Sequence, residues 1–210
     1  MEGYRKEQVI FDGTGVLQAV FTAAITNIIT SNGHGYTGGE RLQFTTADTL
    51  PAGLSLTTDY FVIASSVTTN TFKVSAVLDG AEVDITDTGT GVHTMHLKGK
   101  VIFVEGYKDL FLSLNTSGTA TFTVKVQGSY SDTMPDFSAA QSATNRWDYI
   151  TLKDMEDASA IDGDTGIAPA GADDNRQFMV NVNQLKWLTV NKTAWTQGKI
   201  RVAVAMSNNI

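Results

Sequence analysis

Cysteine is absent from the 210 residues, which removes disulfides, thiolate nucleophiles and zinc–thiolate centres together and leaves the redox compartment unread. Basic residues are the scarcer charge: Lys and Arg total 15 against 22 Asp and Glu, a formal net charge of −7. Nucleic-acid affinity comes from clustered Lys and Arg, so direct nucleic-acid binding is not expected. Long apolar runs are missing as well. The opening MEGYRKEQVIFDG mixes acids with bases ahead of no uninterrupted apolar stretch, so neither a secretory signal nor a membrane span is expected. H-E-x-x-H and G-x-S-x-G do not occur, which sets aside the common zinc-protease and serine-hydrolase signatures. Proline numbers three, and long Ala/Glu/Lys/Leu stretches are lacking.

What is present is abundant Thr, 19 Gly and a 42% hydrophobic content ordinary for a packed core. That mixture favours strands and turns over helices. The clearest periodicity is two. In TATFTVKVQ (119–127), Ala120, Phe122, Val124 and Val126 alternate with Thr and Lys; in GKIRVAVAM (198–206), Ile200, Val202, Val204 and Met206 repeat the pattern. A strand sends successive side chains to opposite faces, so both segments read as strands with one buried side. Shorter strands are expected over 41–46, 59–65, 70–77, 91–97, 101–105, 109–115, 146–153, 177–182 and 185–190, with turn clusters SNG, LDG, DTGTG and TSG between them. The only helix candidates are DFSAAQSA (136–143) and LKDMEDA (152–158).

The fold class expected is therefore all-β: a small β-barrel or meander module over residues 23–97 and a β-sandwich, jelly-roll-like domain over 98–210. Residues 1–22 read either as an extra strand of the second unit, with the first inserted after it, or as an extended arm. The arm's apolar residues Val9, Ile10, Phe11, Val16, Leu17, Val20 and Phe21 are candidates for strand exchange with a neighbouring subunit, against the alternative of an ordinary edge strand.

GHGYTG (33–38) matches G-x-G-x-x-G, and Asp59 stands where a dinucleotide-binding protein would place its ribose ligand. That fingerprint works only when a helix follows, its N-terminus carrying the pyrophosphate. Here ERLQFTTADTLP follows, with no 3.6-residue apolar stripe, so the glycines are read as turn positions between strands.

Other chemistry is thin. His93 and His96 are three apart in a strand and face opposite sides, while His34 sits in a turn. The acids from Asp148 to Asp174 include Asp162, Asp164, Asp173 and Asp174, an oxygen-rich set that makes Ca²⁺ a possible ligand. The match to an EF-hand loop stops early, and a solvated or interface-facing loop is the plainer reading; no cofactor is expected. Tyr130, Trp147, Tyr149, Trp187 and Trp195 could form a sugar platform, although Trp147 and Trp187 occupy strand positions where packing is the default.

Two stretches carry a resemblance. The segment SNGHGYTGGERLQFTTADTLPAGLSLTTDYFVIASSVTTNTFKVSAVLDGAEVDITDTGTGVHTM resembles a small β module that recurs in tailed-bacteriophage virion proteins, with its GHG turn, LPAGL, TFK and closing DTGTGVHT in order. The segment GSYSDTMPDFSAAQSATNRWDYITLKDMEDASAIDGDTGI, followed by NQLKWLTV, looks like the β-sandwich domain of phage capsid-decoration or tail-associated proteins. The resemblance implies a non-catalytic virion protein, assembled in the host cytoplasm in many symmetric copies. Its implied partners are other copies of itself and the major capsid protein or tail proteins, with no membrane. It supplies no catalytic residue. A head decoration or cement protein is the reading favoured; a tail or baseplate component is the near alternative, and a carbohydrate-binding adhesin module belongs to a different class.

Overall fold

Period-two patterning organises every core in the computed structural model, which describes residues 5–11, 16–169 and 171–207. The chain is all-β, with two antiparallel sheets and no α-helix among the described residues. It divides into a smaller unit, Thr14–Lys98, and a larger one made of Met1–Gly13 with Gly99–Ile210.

The larger unit begins with β1 (Arg5–Phe11). The smaller unit follows with β2 (Gln18–Ala23), β3 (Ile29–Thr30), β4 (Arg41–Thr46), β5 (Tyr60–Val62), β6 (Thr71–Phe72), β7 (Val74–Ser75) and β8 (His93–Lys98), ordered β6-β3-β2-β8-β4-β5-β7. The larger unit resumes with β9 (Ile102–Phe103), β10 (Asp109–Ser129), β11 (Asp148–Tyr149), β12 (Leu152–Asp154), β13 (Ala160–Ile161), β14 (Asn175–Asn181) and β15 (Trp187–Ser207). Its sheet runs β1-β15-β10-β14-β12-β13, with β11 also on β10 and β9 on β15.

β10 and β15 are 21 residues each and pair antiparallel from Asp109↔Ser207 to Ser129↔Trp187. They absorb segments that the sequence separates at TSG. Gly118 and Gly198 take left-handed φ values of 69° and 92° inside the strands, where the register shifts between Ser117 and Thr121. The turn signature is therefore a bulge, which bends a strand without ending it. Leu110, Leu112, Leu114, Phe122, Val124 and Val126 of β10 pack inward, as do Ile200, Val202, Val204 and Met206 of β15. Each such side chain contributes roughly 1.5–3 kcal/mol by leaving water.

Both helix candidates take other conformations. At 136–143, Asp136 Oδ1 accepts the amides of Ser138 and Ala139, and the Asn145 amide donates to the carbonyls of Asp136, Ala139 and Ala140. Those carbonyls are the ones a helix would need for its own amides. Over 152–158, Leu152–Asp154 is committed to the sheet through β13 and β14. The segment 23–31 is divided by a turn: β2 ends at Ala23, Asn27 turns the chain at φ 65°, and β3 begins at Ile29.

The boundary after residue 22 is corrected too. β1 pairs with β15, whereas Gln18–Ala23 pairs with β8 and β3, so the first unit boundary falls between Gly13 and Thr14. The second falls between Lys98 and Gly99.

Candidate interaction surface

The GHGYTGGE segment is a packing device. Gly33 and Gly35 hold φ of 62° and 69°, and between and after them His34 and Tyr36 turn inward to meet Phe72, with ring centroids 4.9 and 5.5 Å from it. His34 is fully buried. Its Nδ1 accepts the Tyr36 amide at 3.0 Å, so the ring proton sits on Nε2. Burial pushes the His34 pKa down, opposed by the Thr71 backbone, the Glu40 charge and the Thr68 backbone. The Tyr36 hydroxyl donates to the Val16 carbonyl at 2.9 Å, and burial pushes its pKa up. Glu40 folds back on the turn, accepting the Thr37 amide and hydroxyl at 3.0 Å and the Gly38 amide at 2.7 Å. After Gly39 comes β4, a strand, and Asp59 is ion-paired with Arg41 at 3.4 Å. The segment thus lacks the helix N-terminus a pyrophosphate would use.

The other landmarks of the module serve the same end. LPAGL closes a turn in which the Leu54 amide donates to the Pro51 carbonyl, with Gly53 at φ 100°. Asp87 Oδ1 accepts the amides of Ala52 and Gly89 at 2.8 and 2.9 Å, and these bonds hold its pKa below the usual carboxylate value. Thr49 and Thr90 exchange backbone hydrogen bonds, and the Thr90 hydroxyl donates to Asp48 at 2.8 Å. His93 donates from Nε2 to the Thr88 carbonyl at 3.1 Å, which leaves Nδ1 to accept the Thr46 hydroxyl at 2.9 Å. His96 instead faces outward, with Nε2 2.9 Å from the Thr45 hydroxyl.

These bonds fix the loop Thr88–Val92 as one wall of a groove. The floor is β2 from Ala19 to Ala23 and the opposite wall is Thr30–Asn32; the volume is ≈ 920 Å³. No Asp, Glu, Lys or Arg lines it. Val20 on the floor is 63% exposed and Val92 on the wall 59%. Sequence reasoning singles out Val20 for its place in an apolar run, whereas Val92, near the start of the strand expected over 91–97, carries no signal of a surface role.

The remaining candidates scatter. Phe11 is 1% exposed and Phe21 is also buried, each packed within its own chain. Val9 is half-buried and pairs with Ala203 of its own chain, and Ile10 is buried beside it. Val16 is half-buried, its amide donating to the His34 carbonyl, and Leu17 is buried. Val9 and Phe11 belong to the larger unit and Val16, Val20 and Phe21 to the smaller. Val20 alone of the five is strongly exposed.

Three of the four cation candidates bond to neighbouring groups of the protein. Asp162 accepts the Asp164 and Thr165 amides and Asp173 accepts the Gly118 amide, each using its carboxylate to stabilise a turn. Asp174 is gripped by Arg176 through Nε at 3.0 Å and Nη2 at 2.8 Å, and Arg176 Nη1 lies 4.0 Å from Asp154. Asp164 is exposed beside its turn. No three His, Asp or Glu side chains converge to hold a metal among the described residues.

Among the described residues, the paired aromatic rings are not coplanar. Trp147 and Tyr149 meet at 78° with centroids 5.2 Å apart, and Trp187 meets Phe103 at 66°. The Trp147 and Trp187 indoles donate to the carbonyls of Ala139 and Ser131. Tyr130 is exposed, and the Trp195 side chain lies outside the described residues.

No protein-family model and no curated protein matches the sequence. Among solved structures the chain is similar to the SPBc2 prophage-derived protein YomS, at 11% identity and TM-score 0.38, over 52% of this chain and 80% of that one. It is also similar to the PBSX exported protein XepA, at 11% identity and TM-score 0.37, over 98% of this chain and 81% of that one. At scores this low, neither likeness carries an argument about role.

Proposed function

We propose that this chain is a non-catalytic structural protein of a tailed-phage particle, a head decoration or cement protein that works through protein–protein interfaces. The observation that carries the reading is how the module's reactive side chains are used. His34, His93, Glu40 and Asp87 each hold a loop by bonding its backbone, which leaves rigid loops around an uncharged groove. The resemblance of the 31–95 segment to a recurring virion module supports the same reading. So does the outer Thr of the strands, which supplies hydrogen-bonding surface at small side-chain entropy cost. Attachment to a particle would need roughly 1,000 Å² per contact, or several weaker contacts acting together.

The test is co-sedimentation of the purified chain with particles lacking it, heads and tails separately. Binding to heads at saturating stoichiometry is expected. Binding to tails alone would move the protein to the tail, and binding to neither would overturn the reading.

A further inference from the structure

We propose that the Asn32-Gly33 peptide is a self-modifying site, at which the Asn32 side-chain amide is lost through a cyclic imide and the neighbouring Asn70 side chain sets the rate. This chemistry stands independently of the role proposed above.

Loss of an asparagine amide requires the backbone nitrogen of the next residue to reach the side-chain carbonyl carbon. Glycine in that next position leaves the nitrogen unshielded, because it has no Cβ. Asn-Gly occurs once in the sequence, at 32–33, and every other asparagine precedes a residue that carries a Cβ. The local structure keeps this pair open. Both residues are exposed, and nothing lies within 4 Å of the place a Gly33 Cβ would occupy. The Asn32 side chain makes no hydrogen bond among the described residues, so it can turn toward the Gly33 nitrogen. Asn27 and Asn145 show the opposite state. Asn27 donates to Glu82 and accepts the Ile85 amide, and Asn145 accepts the Asp136 amide while donating to the Asp136 carbonyl, so both ends of each side chain are held.

One contact opposes the reaction. The Gly33 amide donates to Asn70 Oδ1 at 2.9 Å, and the Asn70 carbonyl accepts the Ser31 amide. The Gly33 nitrogen must shed its proton before it attacks, and a hydrogen bond made by that proton stabilises the protonated form. The bond is exposed to water and involves two neutral partners, so it slows the step without abolishing it.

The reaction balances with water alone. The Gly33 nitrogen bonds to Asn32 Cγ, Nδ2 leaves as ammonia, and water then opens the imide ring at either carbonyl. Opening at Cγ leaves an aspartyl residue at position 32. Opening at the main-chain carbonyl reroutes the backbone through the side chain, an isoaspartyl linkage. Either product places a carboxylate on the Thr30–Asn32 wall of the groove, whose lining holds no acidic or basic side chain. The isoaspartyl product also inserts a methylene into the main chain directly ahead of the turn that buries His34.

The experiment incubates the full chain at neutral and mildly alkaline pH and follows the peptide containing position 32 by fragmentation mass spectrometry, with enzymatic isoaspartyl methylation to count the rearranged product. Wild type is compared with Asn70→Ala, with Asn70→Asp, which keeps an acceptor for the Gly33 amide, and with Asn32→Gln, whose longer side chain would need a larger ring. Circular dichroism confirms folding. Conversion is expected at position 32, ahead of every other asparagine and faster at the higher pH. It should run roughly three- to tenfold faster in Asn70→Ala, the worth of one ordinary hydrogen bond. It should run no faster than wild type in Asn70→Asp and be absent in Asn32→Gln. An Asn32 that stays intact over a period many times the half-time of a synthetic peptide spanning 29–36 overturns the proposal. So do equal rates in wild type and Asn70→Ala, and so does an Asn70→Asp rate as high as that of Asn70→Ala, because the Gly33–Asn70 bond would then not control the step.

Discussion

The two units reach stability by different routes. The larger rests on long ladders: β10 and β15 are 21 residues each, and alternation delivers an inner row that is apolar apart from a few buried polar residues such as Thr116. The smaller has strands of two to six residues and is held between them by side chains that bond backbone, as Glu40 holds Thr37 and Gly38 and Asn27 accepts the Ile85 amide. A long ladder spreads its stabilisation over many similar positions. A short-strand module concentrates it in a few turn residues, each with a specific geometric task, and its exposed loops can then be rigid enough to form an interface.

That contrast should break first in the larger unit's core. Phe178, fully buried on β14, leaves a large cavity when truncated, so Phe178→Ala is expected to cost about 4 kcal/mol in urea unfolding followed by Trp fluorescence. All three Trp lie in that unit, which makes the probe specific to it. The sharper test of the smaller unit is Gly38→Ala. A Cβ there would stand 2.3 Å from Ala64 Cβ and 2.6 Å from Ala64 Cα, at φ 116°, so backbone strain and overlap together should cost about 3 kcal/mol. Gly33→Ala, at φ 62° with open space around it, should cost only about 1 kcal/mol. Amide hydrogen exchange across 16–98 reads both, and equal losses would show that the close approach at Ala64 is unimportant.

A smaller effect is expected where the larger unit borrows the smaller unit's device. Arg176 pins Asp174 and reaches the Ala168 carbonyl at 2.6 Å, while its guanidinium lies over Phe178. Arg176→Met strands two mostly buried carboxylates, Asp154 and Asp174. Because the Arg176 side chain is partly exposed, the loss should be about 2 kcal/mol rather than the larger figure for a fully buried pair. A double-mutant cycle with Asp174→Asn should recover part of it as coupling.

The same division governs what the sequence discloses. The inward rows Ala120–Val126 and Ile200–Met206 are legible because side-chain direction on a strand depends only on parity. The continuity of β10 through Gly118 is not, since a left-handed glycine means the same thing locally in a turn and in a bulge. DFSAAQSA shows helical composition and still forms no helix, because Asn145 claims its carbonyls from outside the segment. At the candidate surface, Val20 was visible as an apolar residue in an apolar run, but Phe11 and Phe21 were equally visible and are core. Val20 and Phe21 are adjacent on β2 and so face opposite sides; which side is buried, like the burial of Phe11 on β1, is set by packing against partners that lie far away in sequence.

The finest test of the comparison is pH. His34 is buried neutral in the smaller unit, with its pKa depressed by burial and with Glu40 and Tyr36 as its titratable neighbours. The unfolded chain protonates first, near the ordinary histidine value of ~6.5. His34 therefore leaves stability unaffected above that pH, lowers it as pH falls through ~6.5 toward the depressed folded value, and adds no further change below that value. The smaller unit should accordingly lose protection between neutral and mildly acidic pH by an increment that His34→Asn removes, since an Asn carbonyl can accept the Tyr36 amide without titrating. Exchange measured on wild type and His34→Asn at several pH values isolates the histidine from Asp87, whose depressed pKa makes its own contribution at lower pH. Identical pH slopes in the two proteins would mean that the buried imidazole finds a proton acceptor on opening its Nε2 side, and that the module is less tightly locked at its GHGY turn than its hydrogen bonds imply.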